Sequence, residues 1–220
     1  MTVYLDESGL YDLTLPEVDS GSLDACGIDS MWLSQTVFGC DDLGLQVVTI
    51  TAIDSSGNMS SCVSQVTVLD TISPSMICQD VTIYLDESGL YDLTLAEVDS
   101  GSIDVCGIDS IWLSQTAFGC DDLGQQVVTI TAIDSSGNIG SCASQVTVLD
   151  TISPSMICQD VTVYLDESGL YDLTLPEVDS GSIDACGIES KWLSQTAFGC
   201  GDLGQQVVAL TAIDLSLIHI

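Results

Sequence analysis

The chain has 220 residues, of which 33 are Asp or Glu and a single one, Lys191, is Lys or Arg, giving a net charge of −32. A surface of that sign repels phosphate, which excludes nucleic acid and anionic membrane as partners. Hydrophobic residues make up 46% of the chain, enough to exclude acidic disorder, and no apolar run is long enough to span a bilayer.

The sequence repeats every 80 residues: Tyr4, Tyr84 and Tyr164 open the same YLDESGLYDLTL run, and Trp32, Trp112 and Trp192 recur in phase. Residues 1–80 and 81–160 differ at eleven positions, mostly by small apolar exchanges. That period is too long for a solenoid and suits a small domain. The expected modules are 1–69, 70–149 and 150–214. At 215–220 the repeat is replaced by LSLIHI, which resembles a sequencing-library adapter translated in frame, so this tail and its His219 are set apart from the fold. Met1 aligns with Val81 and Val161, within an expected strand, as a start assigned inside a longer reading frame would place it.

Within 70–149, a turn-rich junction at Asp70-Thr-Ile-Ser-Pro74 leads to a strand over 75–84. A turn at 86–89 precedes a second, alternating strand over 90–95. A polar loop over 97–107 carries Asp99, Asp104 and Cys106, and a third strand over 108–113 carries Trp112, expected in the core. After a turn at 119–124 come two β-branched strands, 126–133 and 143–149, joined by Ser-Ser-Gly-Asn. No segment has a helical period. Short antiparallel strands with a turn every 8–12 residues and a tryptophan on the third predict an all-β chain of tandem immunoglobulin-like β-sandwich modules.

The run TAIDSSGN…C…VTVLDTISPSMICQD, with DVCG and FGCDDLG before it, resembles the hyalin repeat family, in particular its variant in large bacterial surface and gliding adhesins. The likeness extends from residue 1 to Asp214, with the turn motif at Asp54, Gly57, Asn58 and at Asp134, Gly137, Asn138. It implies an extracellular immunoglobulin-like adhesion module without catalysis.

Ten cysteines recur in phase, with no C-x-x-C pair and no nearby histidine, which reads as disulfides formed outside the cell rather than zinc. If first and last strands run parallel, Cys78 comes next to Cys142. Cys106–Cys120 then follows by elimination, matched by Cys26–Cys40 and Cys186–Cys200, and Cys62 and Cys158 are left without partners.

Most of the carboxylates are expected to be solvated surface. Asp99, Asp104, Asp134, Asn138 and Asp70 are expected to converge at one pole, where several oxygens suit Ca2+. No EF-hand spacing is present. Asp121-Asp122 becomes Gly201-Asp202 in the third copy and has no partner base, so no hydrolase dyad is expected. The sequon at Asn58 is lost in the next copy, and Asp70-Thr71-Ile72 only weakly matches a bacterial O-glycosylation pattern. The expected function is a non-catalytic stalk or adhesive array at the cell surface, its partners being neighbouring repeats and a surface glycan or protein. The competing reading is a calcium-dependent binding module or an appendage of an exported enzyme.

Overall fold

The computed structural model describes residues 1–215; the foreign tail expected at 215–220 lies, beyond Leu215, outside the described residues. In the first copy, alternating Val, Ile and Thr build pleated strands, because β-branched side chains are stiff at χ1 and pack well on a half-buried surface. The elements are β1 (Thr2–Tyr4), β2 (Tyr11–Asp12), a one-turn helix α1 (Leu15–Val18), β3 (Ile28–Leu33), β4 (Val37–Phe38), β5 (Gly44–Asp54) and β6 (Met59–Leu69). One sheet has the order β1-β6-β5-β3, with β1 parallel to β6, and β2 pairs with β4 in the other layer. Val3, Val48, Val66 and Val68 from the larger sheet meet Leu13 and Phe38 from the smaller one in a single buried cluster.

The middle copy repeats this plan with β7 (Val81–Tyr84), β8 (Leu90–Asp92), α2 (Leu95–Val98), β9 (Ile108–Leu113), β10 (Ala117–Gly119), β11 (Gly124–Asp134) and β12 (Ile139–Leu149). Its sheets have the orders β7-β12-β11-β9 and β10-β8. The third copy has β13 (Leu170–Asp172), α3 (Leu175–Val178), β14 (Ile188–Leu193), β15 (Ala197–Gly199) and β16 (Leu210–Asp214), in two two-stranded sheets. The fold is therefore all-β, a tandem of immunoglobulin-like sandwiches. The chain divides into two compact units, one of residues 1–78, 99–114 and 129–143, the other of 79–98, 115–128 and 144–220, so the middle repeat contributes to both.

Local chemistry explains where the elements depart from expectation. The helical turn α1 stands where a strand was to end. Thr14 at its N-cap and Glu17 three residues on form a capping box, the Thr14 N–H and Oγ1 donating to Glu17 Oε2 at 2.6 and 2.7 Å. One turn is too short to show a period. The strand expected over 75–84 is regular only from Val81; before it, Ser75 and Cys78 make single bridges to Ile103 and Asp99. The Asp-Ser-Ser-Gly-Asn turn is built by Asp54, whose Oδ1 accepts the N–H groups of Ser56 and Asn58 at 2.8 Å, and by Gly57 at φ +86°.

Trp112 is not in the core. Ile111 and Leu113 point inward from β9, so the pleat turns the residue between them outward, and Trp32, Trp112 and Trp192 are 43, 47 and 44% exposed.

Candidate functional site

Two chemistries gather near the repeat boundaries: sulfur bridges and carboxylates. Cys40 is bonded to Cys106 and Cys78 to Cys142 in the first unit, and Cys120 to Cys186 in the second, with Cα separations of 5.3, 5.9 and 5.1 Å. Two of these three bridges thus join one repeat to the next. The pairs expected within repeats, Cys26–Cys40, Cys106–Cys120 and Cys186–Cys200, do not form; Cys26 and Cys200 are unbonded, as are Cys62 and Cys158.

Strand length is the reason. Ile28, two residues after Cys26, pairs with Asp54 at the last position of β5, whereas Cys40 opens the 3₁₀ turn Cys40–Asp42 that leads into Gly44 at the first. Eleven strand residues at about 3.3 Å each span roughly 30 Å, and a disulfide needs Cα atoms within about 7 Å. The chain does not fold back at 34–36; it crosses to the smaller sheet and runs on. At its far end Cys40 meets the loop of the following repeat, where its Sγ lies 3.6 Å from the Val105 carbonyl oxygen. Gly9 admits that loop: its φ is +74°, and a Cβ there would sit 2.8 Å from a Val105 methyl. Gly89 plays the same part beside Cys120 and Ala185.

The carboxylates of Asp70, Asp104 and Asp134 offer oxygens that all lie within 4.8 Å of one another. Asp70 follows β6, Asp104 lies in the loop before β9, and Asp134 ends β11. Asp70 and Asp134 are only 5 and 3% exposed. Asp134 is held by the N–H groups of Ser136 and Asn138 at 2.8 and 2.9 Å, and by the Asn138 amide at 2.8 Å. The same Asn138 amide reaches the Asp70 carbonyl at 3.3 Å. Asp104 Oδ1 accepts the Cys106 N–H at 2.9 Å, while its buried Oδ2 has no hydrogen-bond partner.

The arrangement recurs 80 residues on in Asp150, Asp184 and Asp214, where Asp150 Oδ2 and Asp184 Oδ2 are likewise buried without partners. Burial, then the charges of Asp214 and Asp184, push the Asp150 carboxyl above its ordinary range. Asp99 stands apart from the group. Its Oδ1 accepts the Ser102 N–H and hydroxyl at 3.0 and 2.5 Å, and its backbone bridges Cys78. In the third copy its counterpart Asp179 keeps the Ser182 N–H on Oδ1, at 2.8 Å, and takes Lys191 as well on Oδ2, at 2.7 Å; Lys191, then Ser182, hold that carboxyl well below the usual range.

No protein-family model matches the chain, and no curated protein matches it. Among solved structures it is similar to extracellular cadherin domains 1–4 of protocadherin gamma B7, at 12% identity and a TM-score of 0.31 over 76% of this chain and 54% of that one. It is also similar to protocadherin gamma B2 extracellular cadherin domains 1–5, at 14% and 0.30 over 89% and 48%. A third similarity is to an endo-fucoidan hydrolase of glycoside hydrolase family 107, at 14% and 0.21 over 56% and 28%. The chain spans about half the length of those protocadherin ectodomains. Likenesses this remote carry nothing about partners or activity.

Proposed function

We propose that the chain is a stretch of secreted, non-catalytic stalk, a hyalin-repeat-like adhesive array whose modules, 1–69, 70–149 and 150–214, are strapped to one another by sulfur. The observation that carries this is the interlacing of the bridges. Cys78–Cys142 overlaps both Cys40–Cys106 and Cys120–Cys186, which span 66 residues each. A pull between Cys40 and Cys186 therefore runs through two disulfides and the segment 106–120, which carries β9 and β10, and the rest of the chain between them is shielded from it. Such bonds persist in an oxidising exterior, which supports a location outside the cell, with the array's own neighbouring repeats as its nearest partners.

Stretching single molecules with and without reductant tests the strap. Reduction frees about 450 Å of additional contour between Cys40 and Cys186, at about 3.3–3.6 Å per residue. Equal contour lengths in both buffers would overturn it.

The carboxylate clusters supply a second element of the same reading. Asp70, Asp104 and Asp134, steadied by Asn138, fit a hard divalent cation: every donor is an oxygen, and the unpartnered Asp104 Oδ2 is buried among like charges. Calcium bound there would neutralise the group and tie the Asp70 junction to two loops of the following module. Titration is expected to raise the melting temperature. Asp104→Asn is expected to stabilise the calcium-free protein and to weaken its response to calcium. A melting temperature that stays level up to millimolar calcium would remove the cation from the account.

A further inference from the structure

Two of the three bridges are the same joint made twice. In each, a socket on one repeat receives a plug from the next: Gly9 with Cys40 receives Val105 and Cys106, and Gly89 with Cys120 receives Ala185 and Cys186. The second socket is built where Leu90 of β8 pairs with Gly119 of β10, immediately before the bonding cysteine. Its plug is a tight loop in which Asp184 Oδ1 accepts the Cys186 N–H at 2.9 Å and Gly187 turns the chain at φ +103°.

The third copy carries a further socket. Leu170 of β13 pairs with Gly199 of β15, and Gly169 has φ +74° where Gly89 has +75°. A Cβ on either glycine would lie 2.8 Å from the neighbouring cysteine sulfur, and the Cys120 and Cys200 sulfurs both lie 3.8 Å from that glycine's carbonyl oxygen. Cys200 is thus held as Cys120 is, yet it is unbonded and exposed. The first copy carries a further plug. Asp24-Ala25-Cys26-Gly27 has the same sequence as Asp184-Ala185-Cys186-Gly187, and the loop has the same closure: Asp24 Oδ1 accepts the Cys26 N–H at 2.7 Å, and Gly27 has φ +97°. Cys26 too is unbonded and exposed.

We propose that these two halves join between molecules: Cys200 of one copy bonds to Cys26 of a second copy, so that the straps continue head to tail. The inference rests on the strap reading above and extends it from one chain to a filament, because a head-to-tail contact that does not close on itself grows openly. Both halves are already shaped, which spares the cost of ordering them on contact. Chains of charge −32 repel one another, but Gly201 follows the bonding cysteine where the other copies have Asp41 and Asp121, which takes one carboxylate away from the joint. The bond needs an oxidant, and a small disulfide such as oxidised glutathione suffices. The Cys200 thiolate attacks one of its sulfurs and expels glutathione; the Cys26 thiolate of the second copy then attacks the protein sulfur of that mixed disulfide and expels the other. Two protein thiols are oxidised and one glutathione disulfide is reduced to two thiols.

Incubation of the chain in a glutathione redox buffer at about 1 M salt, where charge is screened within about 3 Å, followed by a non-reducing gel, tests the joint. The wild type is expected to give a ladder of covalent oligomers, and so is the Cys62→Ser, Cys158→Ser double variant. Cys26→Ser and Cys200→Ser are each expected to stay monomeric alone. Mixed, those two variants should form at least tenfold more dimer than either alone, and nothing larger. Peptide mapping by mass spectrometry should find Cys26 bonded to Cys200 in the dimer. A wild type that stays monomeric while its map retains Cys40–Cys106 and Cys120–Cys186 would overturn the joint and leave the strap standing; a map without those two bridges would overturn both. Dimers formed as readily by one variant alone as by the mixture, or a Cys26–Cys200 bond closed within a single chain, would also overturn the joint.

Discussion

The middle and third repeats have nearly the same sequence and different structures. In the middle copy Val81–Tyr84 is a strand because Val146–Leu149 of β12 lies parallel beside it. In the third copy the matching residues 161–164 read VTVY and, among the described residues, pair with no strand. The counterpart of β12 falls past residue 215. The core registers the difference: Phe118 is 1% exposed and Phe198 8%, and a cavity of about 430 Å3 opens against Val161, Val163, Leu165, Leu173 and Phe198. Local propensity is the same in both copies, so it does not by itself make this strand; the partner does.

The largest expected effect is in backbone protection. Amides of Val81–Tyr84 should exchange with solvent at least a hundredfold more slowly than those of 161–164, because among the described residues only the former are closed by a ladder. A peptide of sequence 139–149 added to the chain should slow exchange at 161–164 by supplying the missing edge, as strand addition does elsewhere. Equal exchange in the two copies, measured by mass spectrometry on overlapping fragments, would break the comparison.

Next in size is the cost of emptying the core. Ile130 of β11 is fully buried, and its counterpart Leu210 of β16 is only partly so. Ile130→Ala should cost about 2–5 kcal/mol. Leu210→Ala should cost clearly less, because its site is already open to solvent. Chemical denaturation read residue by residue through hydrogen exchange separates the two, and equal costs would mean that the third core is as well closed as the second.

The same contrast shows what could be read from the chain before its structure. The 80-residue period, the long strands β5, β6, β11 and β12 and their Asp-Ser-Ser-Gly-Asn turns are carried by local alternation and turn chemistry, and they are legible. The expected gathering of acids at one pole is met by Asp70, Asp104 and Asp134 with Asn138 beside them, since loops flanking known strands meet at known poles, whereas Asp99, expected with them, stands apart on Ser102. The partner of Cys106 was not legible, because near-identical repeats give Cys40 and Cys120 the same local sequence. Only strand length decides between them. Trp112 was misplaced for a different reason: apolar neighbours at 111 and 113 suggest burial, yet on a pleat they put the residue between them outside.

The smallest effect should be identical in both copies, which makes it the control. Tyr91 donates its hydroxyl to Glu97, and with the Thr94 hydroxyl and N–H it holds that carboxyl below its ordinary range; Tyr171, Glu177 and Thr174 repeat the arrangement. A carboxyl whose folded value is lowered contributes stability that is present above its unfolded value and lost as pH falls through the folded one. Tyr91→Phe should therefore return Glu97 toward the ordinary carboxylate range, and move the acid unfolding limb of the middle copy slightly to higher pH. Tyr171→Phe should do the same to Glu177 by the same amount, because this capping box is closed within one short stretch of chain and does not depend on the last strand. Carboxyl titration by nuclear magnetic resonance reads both groups in one sample. A Glu177 that already titrates in the ordinary range would show that the unpaired edge of the third copy loosens its smaller sheet as well, and that the two copies differ throughout rather than along one strand.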